Sequence, residues 1–134
     1  MHVSHLPTDA KDRKALSVAT GVIDYFPDAI IALAELSMMG NEQHNPGSPL
    51  HWDRSKSGDE ADALMRHFVD RGTIDNDGIR HSTKVLWRAA ALLQKELEKA
   101  RAEDLLFPKK EMYDALEDKS WTKRIEIAED KDGI

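Results

Sequence analysis

The chain has no cysteine, which removes disulfides, thiolate metal sites and cysteine nucleophiles together. It has no apolar run approaching the roughly 20 residues of a membrane-spanning helix. Its opening stretch, MHVSHLPTDAKDRK, is too polar for a signal peptide. A cytosolic protein without membrane contact is the expectation. Positive charge is also in deficit: 19 Lys and Arg face 25 Asp and Glu, for a formal net charge of −6. General nucleic-acid binding needs a basic face to displace phosphate counterions, so stable binding to DNA or RNA is not expected. An acidic chain that handles a polyanion has to gather its few cations in one place or recruit metal ions. Internal repeats, low-complexity tracts and period-two strand patterns are absent too, apart from the brief RIEIA near the end.

What is present reads as helix. At 134 residues the chain is long enough for one core, and 40% apolar with 33% charged residues is globular but polar. The spacing predicts a first helix over residues 27–40. Pro27 and Asp28 suit its first turn, Ile30, Leu33, Ala34 and Met38 share one face, and Gly40 ends it. The preceding SVATGVIDYFP reads as an extended lead-in. Ser57 with Glu60 three residues on forms a capping box, which predicts a second helix over 57–72 with Ala61, Leu64, Met65 and Phe68 as its stripe. The longest helix spans about 77–102, where Val85, Leu86, Ala89, Leu92, Leu93 and Leu97 recur at helical spacing. The expected organisation is an all-α domain over 1–107, with its core at about 20–100, and a charged tail over 108–134. That tail reads either as a short frayed helix or as a partner-binding arm.

Three acids carry the first chemical signal. Asp59 and Asp62, at i and i+3, project from one side of the second helix, and Glu35 is the one charge inside an apolar run. Antiparallel packing would bring the three together, and clustered carboxylates bind a hard cation such as Mg²⁺. Acids in a first turn also simply favour the helix dipole, so both readings stand at this level. Arg54, Lys56 and Arg66 lie around the same helix start and, with His67 and the first-turn amides, form a candidate phosphate site.

The loop GNEQHNPGSPLHW then offers donors and acceptors from Asn41, His44, Asn45 and His51 and an aromatic face from Trp52, on a backbone stiffened by Pro46, Gly47 and Pro49. These are the components of a base pocket. Taken singly, each polar residue also fits a loop-stabilising hydrogen bond. His81 and Trp87, on the long helix, are assigned to packing.

The run from Gly40 to Gln94, with its segments GNEQHNPG, PLHW, DEAD followed by RH, and DGIRHS, and the DYFPDA lead-in before it, resembles the phage dATP/dGTP diphosphohydrolase (MazZ-like) family. Those enzymes are compact relatives of the all-α MazG and HisE nucleoside triphosphate pyrophosphohydrolases. The similarity covers roughly residues 20–98. It implies a compact MazG-like helical bundle and hydrolysis of a purine deoxynucleoside triphosphate, dGTP or dATP, to the monophosphate and pyrophosphate with Mg²⁺ or Mn²⁺. It also implies a role in phage nucleotide pools for DNA carrying 2-aminoadenine, hence a place in the host-cell cytoplasm. The broader MazG pattern has an E-x-x-E pair on one helix and an E-x-x-D pair on a later one. Asp59 and Asp62 match the second pair. Glu35 stands in the first with Met38 three residues on, and Glu42 replaces the missing acid where the helix runs that far.

The combined expectation is metal-assisted hydrolysis, with Glu35, Asp59 and Asp62 holding the metal and Arg54, Lys56 and Arg66 neutralising charge on the leaving pyrophosphate. About three good helices do not close a four-helix site, so a homodimer or homotetramer is expected. One alternative is a phosphohydrolase of the HD type that releases triphosphate, but the adjacent His-Asp pair is absent, since residues 67 and 68 are His and Phe. Another is a non-enzymatic helical interaction protein, which predicts neither turnover nor metal dependence.

Overall fold

The computed structural model describes residues 5–106, so the tail from Pro108 and its RIEIA stretch lie outside the described residues. All regular elements among the described residues are helical: α1 (Ala10–Ala15), a π-helical turn (Ala19–Ile23), α2 (Pro27–His44), a 3₁₀ turn (Arg54–Lys56), α3 (Glu60–Val69) and α4 (His81–Leu106). One isolated antiparallel bridge, Ile74 with Arg80, closes the turn between α3 and α4. The fold is all-α, as expected, and α4 is its hub: α3 packs along it and α2 packs beside α3 on the same helix. No single helix among the described residues is long and apolar enough to cross a membrane.

The element boundaries differ from the expected ones for identifiable reasons. The lead-in to α2 is not extended, because Val18 and Asp24 both have helical dihedrals and residues 19–23 close a π turn. Gly40 does not end α2. A glycine inside a helix costs about 1 kcal/mol against alanine, yet the helix continues to His44, and Asn45 N–H still donates to Asn41 C=O at 2.7 Å. Termination falls instead at Asn45, whose successor Pro46 disfavours a helical residue before it. Glu42 is therefore helical.

The capping box at Ser57 does not form. Ser57 is extended (φ −136°, ψ 129°), Asp59 holds the N-cap position, and Glu60 turns its carboxylate to Arg88 and Lys95 rather than back to Ser57. A charge-assisted pairing with α4 displaces a local cap. At the other end α3 stops at Val69, with Asp70 as C-cap, ahead of Gly72. α4 starts at His81 because the residues before it form a tight turn: Asp75 N–H donates to Ile79 C=O, Asp77 Oδ1 accepts from Ile79 N–H, and Gly78 takes φ +82°.

The seam between α3 and α4 is narrow. Ala63 and Ala91 are the buried apolar side chains among the described residues. Ile30, Leu33, Leu64, Leu92 and Leu97 are half-buried, whereas Met38, Met65, Phe68 and Leu93 of the expected stripes face solvent in the single chain.

Candidate active-site cleft

The end of α2, the loop after it, the start of α3 and the first turns of α4 enclose a cleft of about 560 Å³. That volume lies within the usual span of small-ligand sites, about 300–1,000 Å³. Asn41, His44, Asn45, His51 and Trp52 all line it. The loop residues singled out for base recognition thus share one cavity. Asn41 is buried, and its Nδ2 donates to Ser48 C=O at 3.0 Å, tying the last turn of α2 to the loop. Asn45 Oδ1 accepts from Lys56 Nζ at 3.4 Å. Trp52 meets Trp87 edge to face at 6.4 Å. Trp87, expected to be a packing residue, is half-buried and forms part of the cleft wall.

The facing wall carries charge. Lys56, Lys84 and Arg88 line the cleft with Asp53, Glu60 and Asp77. Glu60 is 5% exposed and is clamped by two cations of α4, Arg88 Nη1 at 2.9 Å and Lys95 Nζ at 2.9 Å. The same cations donate to Ser57, Arg88 to its hydroxyl at 2.7 Å and Lys95 to its carbonyl at 2.6 Å. Burial alone would raise the Glu60 pKa, but the bonds from Lys95 and Arg88 outweigh it and hold the carboxyl below its ordinary value. Lys84 bridges Asp75 at 2.6 Å and Asp77 at 2.7 Å. Burial works against its charge, yet the two carboxylates raise its pKa. Asp75, bonded by Lys84 and by Asn76 N–H, is pulled down to about 2.

The remaining expected site residues lie at the margins. Asp59 sits in an ion pair with Arg66 at 2.8 Å and accepts from the Ser57 hydroxyl; these bonds keep it ionised. Asp62, Glu35 and Glu42 are exposed. Arg54 pairs with Glu98 at 2.6 Å, lies 4.2 Å from the Trp52 ring centroid and borders a smaller hollow of about 340 Å³ that shares both tryptophans. Among the described residues, the group of three potential ligands whose donor atoms fall within 4.8 Å of one another is His67, Asp75 and His81; Glu35, Asp59 and Asp62 do not gather that closely in one chain.

Sequence reasoning passed over Glu60, Lys84, Arg88 and Lys95. A signal for them exists: Lys84, Arg88 and Lys95, at i, i+4 and i+11, fall on one side of the helix, and the first two interrupt its apolar half. A basic row on the packing face requires acids opposite.

The sequence profile of the family described as dATP/dGTP diphosphohydrolase, N-terminal, matches residues 7–105. The chain belongs to that family. The match runs through every described helix and both walls of the cleft, so the family assignment and the cavity concern the same part of the molecule. No curated protein and no solved structure matches the chain.

Proposed function

We propose that this dATP/dGTP diphosphohydrolase family member cuts dGTP and dATP between the α- and β-phosphates, releasing the monophosphate and pyrophosphate, with Mg²⁺ or Mn²⁺ as cofactor. The observation that carries the reading is the division of one cleft into two chemistries. Trp52, Asn45 and His51 offer an aromatic face and directed polar groups to a base, while Lys56, Lys84 and Arg88 offer cations to a triphosphate. In this reading Lys56 meets the phosphates with Lys84 and Arg88. Arg54 and Arg66 reach the substrate by leaving Glu98 and Asp59.

Asp59, Asp62 and Glu35 have the donor chemistry for the metal: all are solvent-facing oxygen ligands, and Asp59 is held ionised. When bound, the ion supplies a water of lowered pKa and polarises a phosphoryl oxygen. The protein's own part is to hold the base against Trp52 and the triphosphate against the basic wall, and no covalent nucleophile is required. Because the three acids do not converge within one chain, we place their completion in a homodimer or homotetramer. The uncovered apolar residues Val22, Tyr25, Phe26, Ile31 and Met38, on α2 and just before it, support that assembly. We further propose, from the sequence similarity, that a purine-selective activity serves phage nucleotide-pool remodelling for DNA containing 2-aminoadenine, in the host-cell cytoplasm.

The test is to incubate the protein with each of the eight common nucleotides and Mg²⁺ and to identify the products. dGMP and pyrophosphate from dGTP are expected. Deoxyguanosine with triphosphate, or dGDP with orthophosphate, overturns the reading. Light scattering checks the assembly: a monomer at assay concentration removes the shared carboxylate site.

A further inference from the structure

We propose that His67, Asp75 and His81 form a binding site for a divalent transition metal of the Zn²⁺, Co²⁺ or Mn²⁺ kind, separate from the carboxylates assigned to substrate hydrolysis. His67 lies in the last turn of α3, Asp75 in the connecting turn and His81 at the first position of α4. Three successive pieces of chain therefore deliver one ligand atom each to a common point, all within 4.8 Å.

The histidine pair is the most telling part. Nδ1 of His67 and Nδ1 of His81 are 2.9 Å apart, with rings tilted by 35°. At that distance one ring's Nδ1–H donates to the other's Nδ1, whichever ring carries the proton, and a metal ion in place of that proton would take both nitrogens as ligands. Metal–nitrogen bonds of about 2.0–2.1 Å place neighbouring ligands roughly 2.9–3.4 Å apart, so the spacing already suits coordination. Asp75 Oδ1 lies 3.9 Å from Nε2 of His81, and a carboxylate oxygen of Asp75 falls within 4.8 Å of a ring nitrogen on each histidine.

The surroundings meet the other demands of a metal site. The turn is rigid: His81 N–H donates to Thr73 C=O at 3.1 Å and Gly78 N–H to Asp75 C=O at 2.9 Å. The His81 side chain is 12% exposed, while His67 borders the open cleft and gives the ion a way in. Lys84 holds the other oxygen of Asp75 and so orients the carboxylate. Its ammonium also repels a dication, which makes Lys84 a brake on affinity. Two imidazoles and one carboxylate favour borderline transition ions over Mg²⁺, which takes oxygen ligands and keeps its waters. With three protein ligands, positions stay open on the ion for water or for a ligand in the cleft.

The experiment needs no nucleotide, so its outcome is independent of the hydrolase reading. Tag-free, chelator-treated full-length protein is titrated with CoCl₂, followed by visible absorption, and with ZnCl₂ by calorimetry, each with MgCl₂ in excess. One saturable site per chain with a nitrogen-ligand cobalt spectrum is expected, undisturbed by Mg²⁺. His67→Gln and Asp75→Asn should weaken it by at least roughly 10–100-fold, the range for loss of a group that merely supports a ligand. Circular dichroism confirms that each variant folds, and His81→Gln replaces any that does not. Absence of saturable Co²⁺ and Zn²⁺ binding overturns the proposal, leaving the pair to share a proton. Binding that is unchanged in both His67→Gln and Asp75→Asn, with an oxygen-ligand spectrum, overturns it equally and assigns the ion to the carboxylates.

Discussion

Replacing Glu60 by alanine tests the charge network most directly. The carboxylate is 5% exposed and accepts from Arg88 and Lys95 at 2.9 Å each, while those side chains are 29% and 27% exposed. Removing one partner of a buried ion pair costs about 3–5 kcal/mol, because a buried charge is left uncompensated. Here the abandoned cations retain Ser57 and some access to water, so the loss should fall at or below the floor of that range, about 2–3 kcal/mol. For a helical domain of this size each kcal/mol moves the melting point by about 4–8 °C, which predicts a drop of roughly 10–20 °C. Glu60→Gln keeps the shape but exchanges charged hydrogen bonds for neutral ones and should lose about half as much. The assay is thermal and urea unfolding followed by circular dichroism at one fixed protein concentration, with a double-mutant cycle against Arg88→Ala. A Glu60→Ala variant within about 0.5 kcal/mol of wild type, the ordinary surface range, would refute the clamp.

Three further outcomes follow from the site. Asp59→Ala and Asp62→Ala should each abolish turnover of dGTP while keeping the helical circular dichroism signal, because both side chains are exposed and leave no core cavity. Near-normal kcat in Asp62→Ala would remove the centre of the proposed metal set, whereas normal kcat in Glu35→Ala would move the first-helix ligand to Glu42. Asn45→Ala should narrow the kcat/KM gap between purine and pyrimidine substrates by roughly tenfold, the equivalent of about 1.4 kcal/mol for one lost directed hydrogen bond. Trp52→Ala should instead raise KM for all four bases, and a uniform loss in Asn45→Ala would make that residue a loop support. The Asp75 carboxyl, lowered to about 2, contributes stability that is present above its ordinary pKa of 3.8 and is lost as pH falls through its folded value. The unfolding gap between wild type and Asp75→Asn should be full above about pH 4 and narrow toward pH 2; a gap that is constant over that span contradicts the Lys84 pairing.

How much of this was legible beforehand depends on the range of the interaction concerned. The helices of residues 27–44, 60–69 and 81–106 were readable because apolar spacing is local, and the loop residues Asn41, Asn45, His51 and Trp52 stood out because they suit no regular element. All of them reach the cleft. The boundaries were less readable because partners distant in sequence decide them. Ser57 and Glu60 have the spacing of a cap, but Arg88 and Lys95, 28 and 35 residues beyond Glu60, take its carboxylate. The basic row on α4 signals that acids lie opposite, but no local rule names Glu60 as the one. The emphasis on Asp59 and Asp62 over Glu60 has the same origin: spacing marks which acids share a side, and burial then singles out the one between them. The stripe residues Met65, Phe68 and Leu93 had the right period, yet in one chain they face outward, since periodicity names an apolar face without naming what covers it.

The thin alanine seam between α3 and α4 has a mechanical consequence. Ala63 and Ala91 present almost no ridge to lodge in a groove, so apolar packing alone would let the two helices slide along each other. Two polar pins set their axial register: the Glu60 clamp on Arg88 and Lys95 at one end, and the His67–His81 contact at the other, about 10 Å away along α3. Both pins sit where the two helices also wall the cleft, so the register of the helices and the shape of the cleft rest on the same few polar side chains. A substitution that frees either pin would leave the helices formed and adjacent but would alter the cleft before the fold.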